Sequence, residues 1–197
     1  MQQELKIVID TSIFINPDAH CFFGNTPQEA LSNFLGALEN RKRISCYIPP
    51  SVYEELMKFI ENDLPARTAP LINKKPPSSY ESSIPALLFY EFIEEIRLRI
   101  NKGLRIAEKY TRKGLKANFE TDKPKSEEEL IKSLREEHRA GLREGIIDSK
   151  EDFDLILLAK ELNAYLATSD NGLVKWAQKL GITCINAKEL KEILHRD

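Results

Sequence analysis

Short apolar runs alternate with longer segments of helical periodicity at both ends of this chain. The pattern predicts strands at Leu5 to Ile9, Ser45 to Ile48, Ala164 to Thr168 and Thr183 to Asn186. The first run is short and rich in β-branched residues, which is typical of a strand buried on both faces of a parallel sheet. Because helical segments separate the strands, we predict an α/β fold: a central parallel sheet between layers of helices.

Helix-start signals help to place the helices of this fold. Thr26 and Pro27 suit the N-cap and the first turn of one helix. Asp148 is the predicted N-cap of another, which runs to about Leu162, because Asp148-Ser149-Lys150-Glu151 matches a capping box. On this interpretation, Asp148 and Asp152 lie on one face of that helix, about one turn apart.

The middle of the chain has a different pattern. Asp63 to Ser83 is rich in Pro, Ser, Asn and Lys and is predicted to be a loop. Ile84 to about Lys113 has the periodicity of a long helix, weakened at Gly103, and a capping box at Ser126 opens a second helix that ends near Glu144. Two long helices joined by a short turn predict an antiparallel hairpin.

Length and charge set the domain organisation but leave the partner open. A chain of 197 residues suits one domain with a sizeable insertion. We assign residues 1–62 and 146–197 to an α/β core and residues 84–145 to a helical-hairpin insertion. With 29 basic and 31 acidic residues the net charge is −2, which neither supports nor excludes a nucleic-acid partner.

Other features exclude several classes of protein. The three cysteines show no C-x-x-C spacing, so neither a zinc site nor a disulfide framework is predicted. The N-terminus lacks the pattern of a signal peptide and no apolar run approaches a membrane span, so we expect a cytoplasmic protein without a membrane partner. A Gly-rich phosphate loop is absent, and a nucleotide cofactor is therefore not expected.

Five aspartates occupy positions where an open α/β sheet binds ligands. Asp10 follows the first strand and Asp170 follows the strand that ends at Thr168. Asp148, Asp152 and Asp154 lie at the start of the helix between them. Strand carboxyl ends and the following helix N-termini share one edge of a parallel sheet, so these carboxylates are expected to converge there. The alternative is structural, since Asp148 and Asp170 are also well suited to be helix caps.

Clustered carboxylates repel one another, and a divalent cation relieves that repulsion. Oxygen ligands without His or Cys favour Mg²⁺ or Mn²⁺ over zinc. We predict that Asp10, Asp148, Asp152 and Asp170 hold such an ion and act in catalysis. Asp154 and Glu55 are further candidates, as ligands or as outer partners, and whether Asp152 or Asp154 faces the metal is left open. Metal-dependent phosphodiester hydrolysis is the chemistry that this set suits.

A basic stripe on the first hairpin helix indicates an RNA partner independently of the carboxylates. Its members recur at steps of three and four residues and are Arg105, Lys109, Arg112, Lys113 and Lys116. Such a stripe can follow phosphates and makes binding depend on salt. The alternative is an ordinary solvated helix face, balanced by acids of the second helix such as Glu136, Glu137 and Glu144.

The ordered motifs of the two ends resemble those of PIN-domain nucleases. They are Val8-Ile9-Asp10-Thr11-Ser12, Tyr53-Glu54-Glu55-Leu56, the run from Asp154 to Leu162, and Leu166-Ala167-Thr168-Ser169-Asp170. The resemblance implies that Asp10, Glu55, an acid of the Asp148, Asp152 and Asp154 group, and Asp170 bind Mg²⁺ or Mn²⁺ for RNA cleavage. It also implies a supporting role for the Ser12 hydroxyl.

The helical insertion narrows the resemblance to the HARP family. These are minimal protein-only ribonuclease P enzymes, also called RNA ligase partner proteins. The resemblance implies endonucleolytic removal of the 5′ leader from precursor tRNA, assembly into a large homo-oligomer, and a hairpin that helps to recognise the tRNA.

Three alternatives stay open at this point. A toxin-type PIN endoribonuclease would act on another RNA, although the long insertion disfavours it. A non-catalytic RNA-binding or ligase-partner protein would keep the fold, although it has no need of a costly acidic cluster. An aspartyl phosphatase usually has a second Asp two residues after the first, where this chain has Ser12.

Overall fold

The computed structural model describes residues 4–39, 41–60, 70–81, 83, 85–117, 127–142 and 149–195. These residues divide into two compact units. One contains Met1–Ser83 and Ile147–Asp197, and the other contains Ile84–Ile146. The functional assignment of the two predicted domains stays a prediction.

A parallel sheet forms the centre of the first unit. Its strands are β1 (Leu5–Ile9), β2 (Ile44–Ile48), β3 (Ile72–Lys74), β4 (Tyr165–Ala167) and β5 (Cys184–Ile185). In the described part of the chain the strand order is β3-β2-β1-β4-β5, and every pairing is parallel. Ile7, Val8 and Ile9 are fully buried, as the apolar run predicted for a central strand. The predicted α/β fold is confirmed.

Strand β3 corrects the prediction that Asp63 to Ser83 is a loop throughout. Its three residues are Ile72, Asn73 and Lys74, and they pair with β2 from Cys46 to Ile48. Only Ile72 is buried, so the segment has too few apolar positions to show a strand pattern. The unpaired edge of β2 supplies the hydrogen-bonding partners that turn this short segment into a strand.

Helices of the first unit cover both the sheet and its carboxyl edge. They are α1 (Ser12–Ile15), α2 (Pro17–His20), α3 (Pro27–Glu39), α4 (Pro50–Met57), α7 (Lys150–Leu162), α8 (Asn171–Lys179) and α9 (Ala187–His195). Helix α7 buries five consecutive residues, Leu155 to Ala159, which is typical of a helix covered on more than one side. On α3, Phe34 meets the ring of Phe14 edge to face, with 5.3 Å between centroids.

Two long helices form the second unit. Helix α5 spans Ala86–Ala117 and helix α6 spans Glu127–Leu142. A Cβ on Gly141 would lie 3.2 Å from Ile106, and Lys109 pairs with Glu137, so the partner numbers fall along α6 as they rise along α5. The two helices are therefore antiparallel, and we refer to them as the hairpin.

Two glycines behave differently from the sequence-based expectation. Gly103 was expected to weaken the first hairpin helix, but it lies where α6 comes close: a Cβ there would stand 3.2 Å from Nε2 of His138. The same helix was predicted to end at about Lys113, but α5 continues through Gly114 to Ala117. Among the described helices of both units, none is long and apolar enough to cross a membrane.

Candidate active site

The order of the strands creates a ligand site beside β1. From β1 the chain builds the sheet outward through β2 and β3, and then returns to the other side of β1 with β4 and β5. The direction of winding thus reverses between β1 and β4, and open α/β sheets bind their ligands outside the carboxyl ends of strands at such a point. Asp10 follows β1 there, and Thr168 to Asp170 follow β4.

A cleft of about 520 Å³ opens at this edge, and we call it the acidic cleft. The acidic residues that line it are Asp10, Glu54, Glu55, Glu151, Asp152 and Asp170. The hydroxyl residues that line it are Thr11, Ser12, Ser51 and Ser149. Four of the predicted ligands, Asp10, Glu55, Asp152 and Asp170, therefore face one space although they come from four separate segments.

Asp10 is the most buried of these carboxylates and is held by two hydroxyl groups. Thr168 Oγ1 donates a hydrogen bond of 2.6 Å to Asp10 Oδ2, and Ser12 Oγ donates to the same oxygen. Each hydroxyl oxygen also accepts a hydrogen bond from the backbone. The N–H of Ser169 donates to Ser12 Oγ (2.9 Å), and the N–H of Asp170 donates to Thr168 Oγ1 (3.0 Å). Since each hydroxyl has one proton, both protons are committed to Asp10 Oδ2.

The other oxygen of Asp10 is much less engaged. Its contact among the described residues is Thr11 Oγ1 at 3.4 Å, and that hydroxyl lies about equally far, 3.5 Å, from Glu55 Oε2. Both distances are long for a hydroxyl donor. Oδ1 is thus the oxygen of Asp10 that can bind a cation in the cleft, while Oδ2 fixes the side chain to the frame.

Burial makes the negative charge of Asp10 costly. Among the described residues, the buried polar side chains are Asp10, Thr11 and Thr168, all at this edge. Desolvation raises the pKa of Asp10 above its ordinary value of 3.8, hydrogen bonds from Ser12 and Thr168 partly offset this, and the charge of Asp170 raises the pKa further. A cation beside Oδ1 would relieve both the burial and the repulsion.

Asp170, a predicted metal ligand, uses one of its two carboxylate oxygens as a helix cap. It is the N-cap of α8, and its Oδ1 accepts the backbone N–H groups of Gly172 (2.6 Å) and Leu173 (3.0 Å). Within the described residues, no hydrogen bond reaches its other oxygen, Oδ2. A capping Asp can therefore also be a ligand, because one oxygen serves the helix and the other faces the cleft.

The start of α7 corrects the predicted helix cap. Ser149 is the N-cap, with φ −127° and ψ 154°, and its hydroxyl accepts the N–H of Asp152 at 3.0 Å. Asp148 was the predicted cap, but the helix begins two residues later, so the argument that Asp148 and Asp152 share a helix face does not apply. Asp148 itself lies outside the described residues.

Asp152 and Asp154 differ in what they face. Asp152 lines the acidic cleft, whereas Asp154 is absent from the lining and its Oδ2 accepts a 3.0 Å hydrogen bond from Ser51 Oγ. Ser51 belongs to the first turn of α4. Asp154 therefore joins α7 to α4, the helix that carries Glu55, and the geometry favours Asp152 as the residue that faces a metal.

The donors of the cleft fit a hard cation. They are carboxylates and hydroxyls, and among the described lining residues there is no His or Cys. As the side chains stand, no group of three or more His, Cys, Asp or Glu residues in the described part of the chain is arranged to hold a metal ion. The partly engaged oxygens of Asp10 and Asp170, together with the buried charge of Asp10, are what indicate a cation site here.

The predicted basic stripe divides into two kinds of residue. Lys109 Nζ lies 2.7 and 2.8 Å from the carboxylate oxygens of Glu137 on α6, and Tyr110 Oη donates to the same carboxylate at 3.1 Å. These contacts raise the pKa of Lys109 and lower that of Glu137. All five members are exposed, but the other four, Arg105, Arg112, Lys113 and Lys116, are in no ion pair among the described residues. Lys113 Nζ lies 4.7 Å from the centroid of the Tyr110 ring. Lys109 thus connects the two hairpin helices, as the alternative interpretation expected for part of the stripe.

Thr168 is a site residue that the sequence did not predict. Its side chain is 2% exposed and it connects Asp10 with the backbone of Asp170. The available signal was its position, because a hydroxyl at the end of a buried strand beside two acidic residues needs a polar partner. Ser12, predicted as a supporting hydroxyl, contacts Asp10 in the structure.

Comparison with known proteins places this architecture in a class. The family model described as "PINc domain ribonuclease" matches residues 6–196. PIN nucleases generally use divalent metal ions. The match covers the strands, the acidic cleft and the hairpin together.

Curated relatives make the assignment more specific. The chain is 47% identical to the RNA-free ribonuclease P of Thermodesulfovibrio yellowstonii over 98% of this chain and 95% of that protein. It is 46% identical to the one of Pyrococcus horikoshii, covering 96% and 91%, and 47% identical to the one of Thermococcus onnurineus, covering 96% and 94%. The chain belongs to the RNA-free ribonuclease P family of PIN-domain ribonucleases. The predicted family and the prediction of an endoribonuclease are confirmed.

Proposed function

We propose that this protein removes the 5′ leader of precursor tRNA by metal-dependent endonucleolytic hydrolysis, without an RNA subunit. The observation that carries the proposal is the convergence of Asp10, Glu55, Asp152 and Asp170 on one cleft, at the reversal point of a chain of this family. The relatives are named RNA-free ribonuclease P, and precursor tRNA is proposed as the substrate because ribonuclease P acts on it.

Among the described residues, the proposed metal ligands are Asp10, Asp152 and Asp170. Asp148 is a fourth proposed ligand, which rests on the sequence alone. Asp10 would bind through Oδ1, because its Oδ2 is committed to Ser12 and Thr168. Asp170 would bind through Oδ2, because its Oδ1 caps α8. We propose Mg²⁺ or Mn²⁺, which would activate a water for attack on phosphorus and stabilise the leaving oxygen.

Glu55 and Asp154 have supporting roles in this proposal. Glu55 lines the cleft on α4, where it would accept a proton or a water-mediated contact from the metal site. Asp154 would keep α4 and α7 together through Ser51, so that Glu55 and Asp152 stay on the same cleft. Ser12 and Thr168 would orient Asp10, as the outer partners of metal ligands commonly do.

The hairpin is the proposed RNA-recognition and oligomerisation element. Four exposed basic residues of α5 can contact phosphates: Arg105, Arg112, Lys113 and Lys116. Lys109 instead forms an ion pair with Glu137. Exposed apolar side chains of α5 support assembly with a second copy, since large exposed apolar surfaces are uncommon on monomers. They are Leu87, Phe89, Tyr90, Ile93, Ile96, Leu98, Ile100, Leu104 and Leu115. A large homo-oligomer and a cytoplasmic location stay predictions.

The decisive experiment uses 5′-labelled precursor tRNA with the purified protein, Mg²⁺ and no added RNA. Cleavage at the mature 5′ end that is lost with EDTA and with Asp10→Asn would support the proposal. Cleavage at other positions, or of any single strand, would leave a PIN endoribonuclease with another target. Tight tRNA binding without cleavage would overturn the catalytic proposal in favour of a binding role.

A further inference from the structure

One basic residue stands among the acids of the cleft. Of the described residues that line it, Lys58 is the one cation, against six carboxylates. It is the C-cap of α4, and its backbone N–H donates to the carbonyl of Glu55 at 3.1 Å. Because Lys58 follows Glu55 by three residues, its side chain leaves α4 on the same side as that proposed metal-site residue.

The Lys58 ammonium is not used by the carboxylates around it. Its side chain is exposed, and none of the ion pairs among the described residues includes it. Other lysines do have a carboxylate partner: Lys75 pairs with Glu161, and Lys109 pairs with Glu137. A lysine that lines an acidic cleft without pairing keeps its charge available for an incoming anion.

The substrate of the proposed function brings such an anion. Every nucleotide of the RNA strand carries a phosphate, and the six carboxylates repel it on its way to the site. The metal ion offsets this at the scissile phosphate, but the neighbouring phosphates still meet Glu54, Glu55 and Glu151 at the cleft wall. An ammonium on a flexible stem is a compact point charge suited to a phosphate oxygen at that place.

We propose that Lys58 is a substrate-contacting residue, whose ammonium binds a phosphate of the RNA strand next to the scissile bond. The inference rests on the proposed function, since it takes RNA as the occupant of the cleft. It gives Lys58 a role opposite to that of its neighbours: the carboxylates bind the cation and Lys58 binds the anion. A charge-neutralising role toward the carboxylates alone is the competing explanation, and the two differ in their effect on metal binding.

The test compares Lys58→Ala, Lys58→Arg and the control Lys188→Ala, an exposed lysine on α9 that is outside the cleft lining. We expect Lys58→Ala to slow single-turnover cleavage of precursor tRNA about 10- to 100-fold, as for loss of a hydrogen bond to a charged group. Lys58→Arg should restore most of the rate, and Lys188→Ala should match the wild type.

Two further measurements do not depend on cleavage. In an Asp10→Asn background, adding Lys58→Ala should lower the salt dependence of precursor tRNA binding by about one unit of slope in log affinity against log salt. Mn²⁺ binding without RNA, followed by electron paramagnetic resonance, should be unchanged or tighter in Lys58→Ala, because a cation has been removed from beside the metal site.

The outcomes separate the inference from the function on which it rests. A slower rate and a smaller salt slope, with Mn²⁺ binding unchanged or tighter, support substrate contact. Wild-type behaviour of Lys58→Ala overturns it, and so does a slower rate with weaker Mn²⁺ binding and an unchanged salt slope. If the wild type does not cleave precursor tRNA, the proposed function fails, and the salt slope still decides whether Lys58 contacts RNA.

Discussion

The acidic cleft and the hairpin are both dense in charge, but they hold their charges in different ways. In the cleft, Asp10 and Asp170 each commit one oxygen to the protein frame, through buried hydroxyls or a helix N-terminus. In the hairpin the charges extend from exposed helix faces, and among the described residues of α6 none is buried. Changes in the cleft should therefore have large effects tied to single atoms, whereas changes in the hairpin should have graded effects that salt can screen.

The largest effect is expected for Asp10→Asn. If Asp10 is the metal ligand that we propose, its loss should lower cleavage by about 10³-fold or more, because metal stabilisation of the transition state amounts to several kcal/mol. Without metal the same change should stabilise the protein at neutral pH, since the neutral amide removes a buried charge. Thermal unfolding of the wild type and of Asp10→Asn, in EDTA and in Mg²⁺, measures the change in stability without and with the metal.

The pH dependence of that stabilisation follows from the raised pKa of Asp10. The folded protein binds the Asp10 proton more readily than the unfolded chain, so this contribution to stability is complete below the ordinary pKa of 3.8. It is lost as the pH rises through the folded pKa. The advantage of Asp10→Asn in EDTA should thus be absent near pH 3.8, grow above it and then level off.

Asp18→Asn, at an exposed site, is the control for this pH dependence and should show no such trend. If Asp10→Asn instead makes the protein less stable than the wild type at neutral pH in EDTA, the buried charge is not the cost that we assign to it.

A smaller effect is expected for Thr168→Val, which keeps the shape of the side chain and removes the hydroxyl. Asp10 Oδ2 then loses a donor and the N–H of Asp170 loses its acceptor, so both proposed ligands are less well oriented. We expect metal affinity or cleavage to fall about 10- to 100-fold, as for other outer partners of metal ligands. Mn²⁺ titration and single-turnover cleavage measure the two quantities separately.

Thr183→Val serves as the control for Thr168→Val, because Thr183 is exposed and precedes β5. It should leave both quantities unchanged. If Thr168→Val keeps wild-type metal affinity and wild-type cleavage, the hydroxyl does not orient the site. In that case, single atoms of the cleft do not have the large effects that distinguish it from the hairpin.

The sequence was sufficient for the parts of the fold that have a strong local signal. The buried run of β1, the long hairpin helices and the carboxyl-edge position of Asp10 all follow from apolar periodicity and from the geometry of parallel sheets. The segment Ile72–Lys74 was missed because its pairing with β2, not its own pattern, makes it a strand. Edge strands of this length depend on tertiary context.

The sequence could not predict which carboxylates line the cleft and which are hydrogen-bonded elsewhere, because this requires distances between separate segments of the chain. Spacing alone could not decide between Asp152 and Asp154, since both follow the same helix start; the hydrogen bond from Ser51 to Asp154 separates them. Likewise, the sequence suggested that Asp170 is either a helix cap or a metal ligand, without distinguishing its two carboxylate oxygens. The structure shows that Oδ1 is the capping oxygen, and the ligand role of Oδ2 stays a prediction.

The smallest expected effect separates two residues of the hairpin stripe. Arg112 is exposed, and its replacement by Ala should weaken precursor tRNA binding about fivefold and reduce the salt slope by about one. Lys109 is engaged by Glu137, so Lys109→Ala should leave the salt slope nearly unchanged and lower the stability of the hairpin slightly. Filter binding over a range of salt concentrations, beside thermal unfolding, distinguishes the two. Equal salt slopes for both variants would mean that the ion pair with Glu137 opens when RNA binds, and the hairpin would then resemble the cleft in exchanging a protein partner for the substrate.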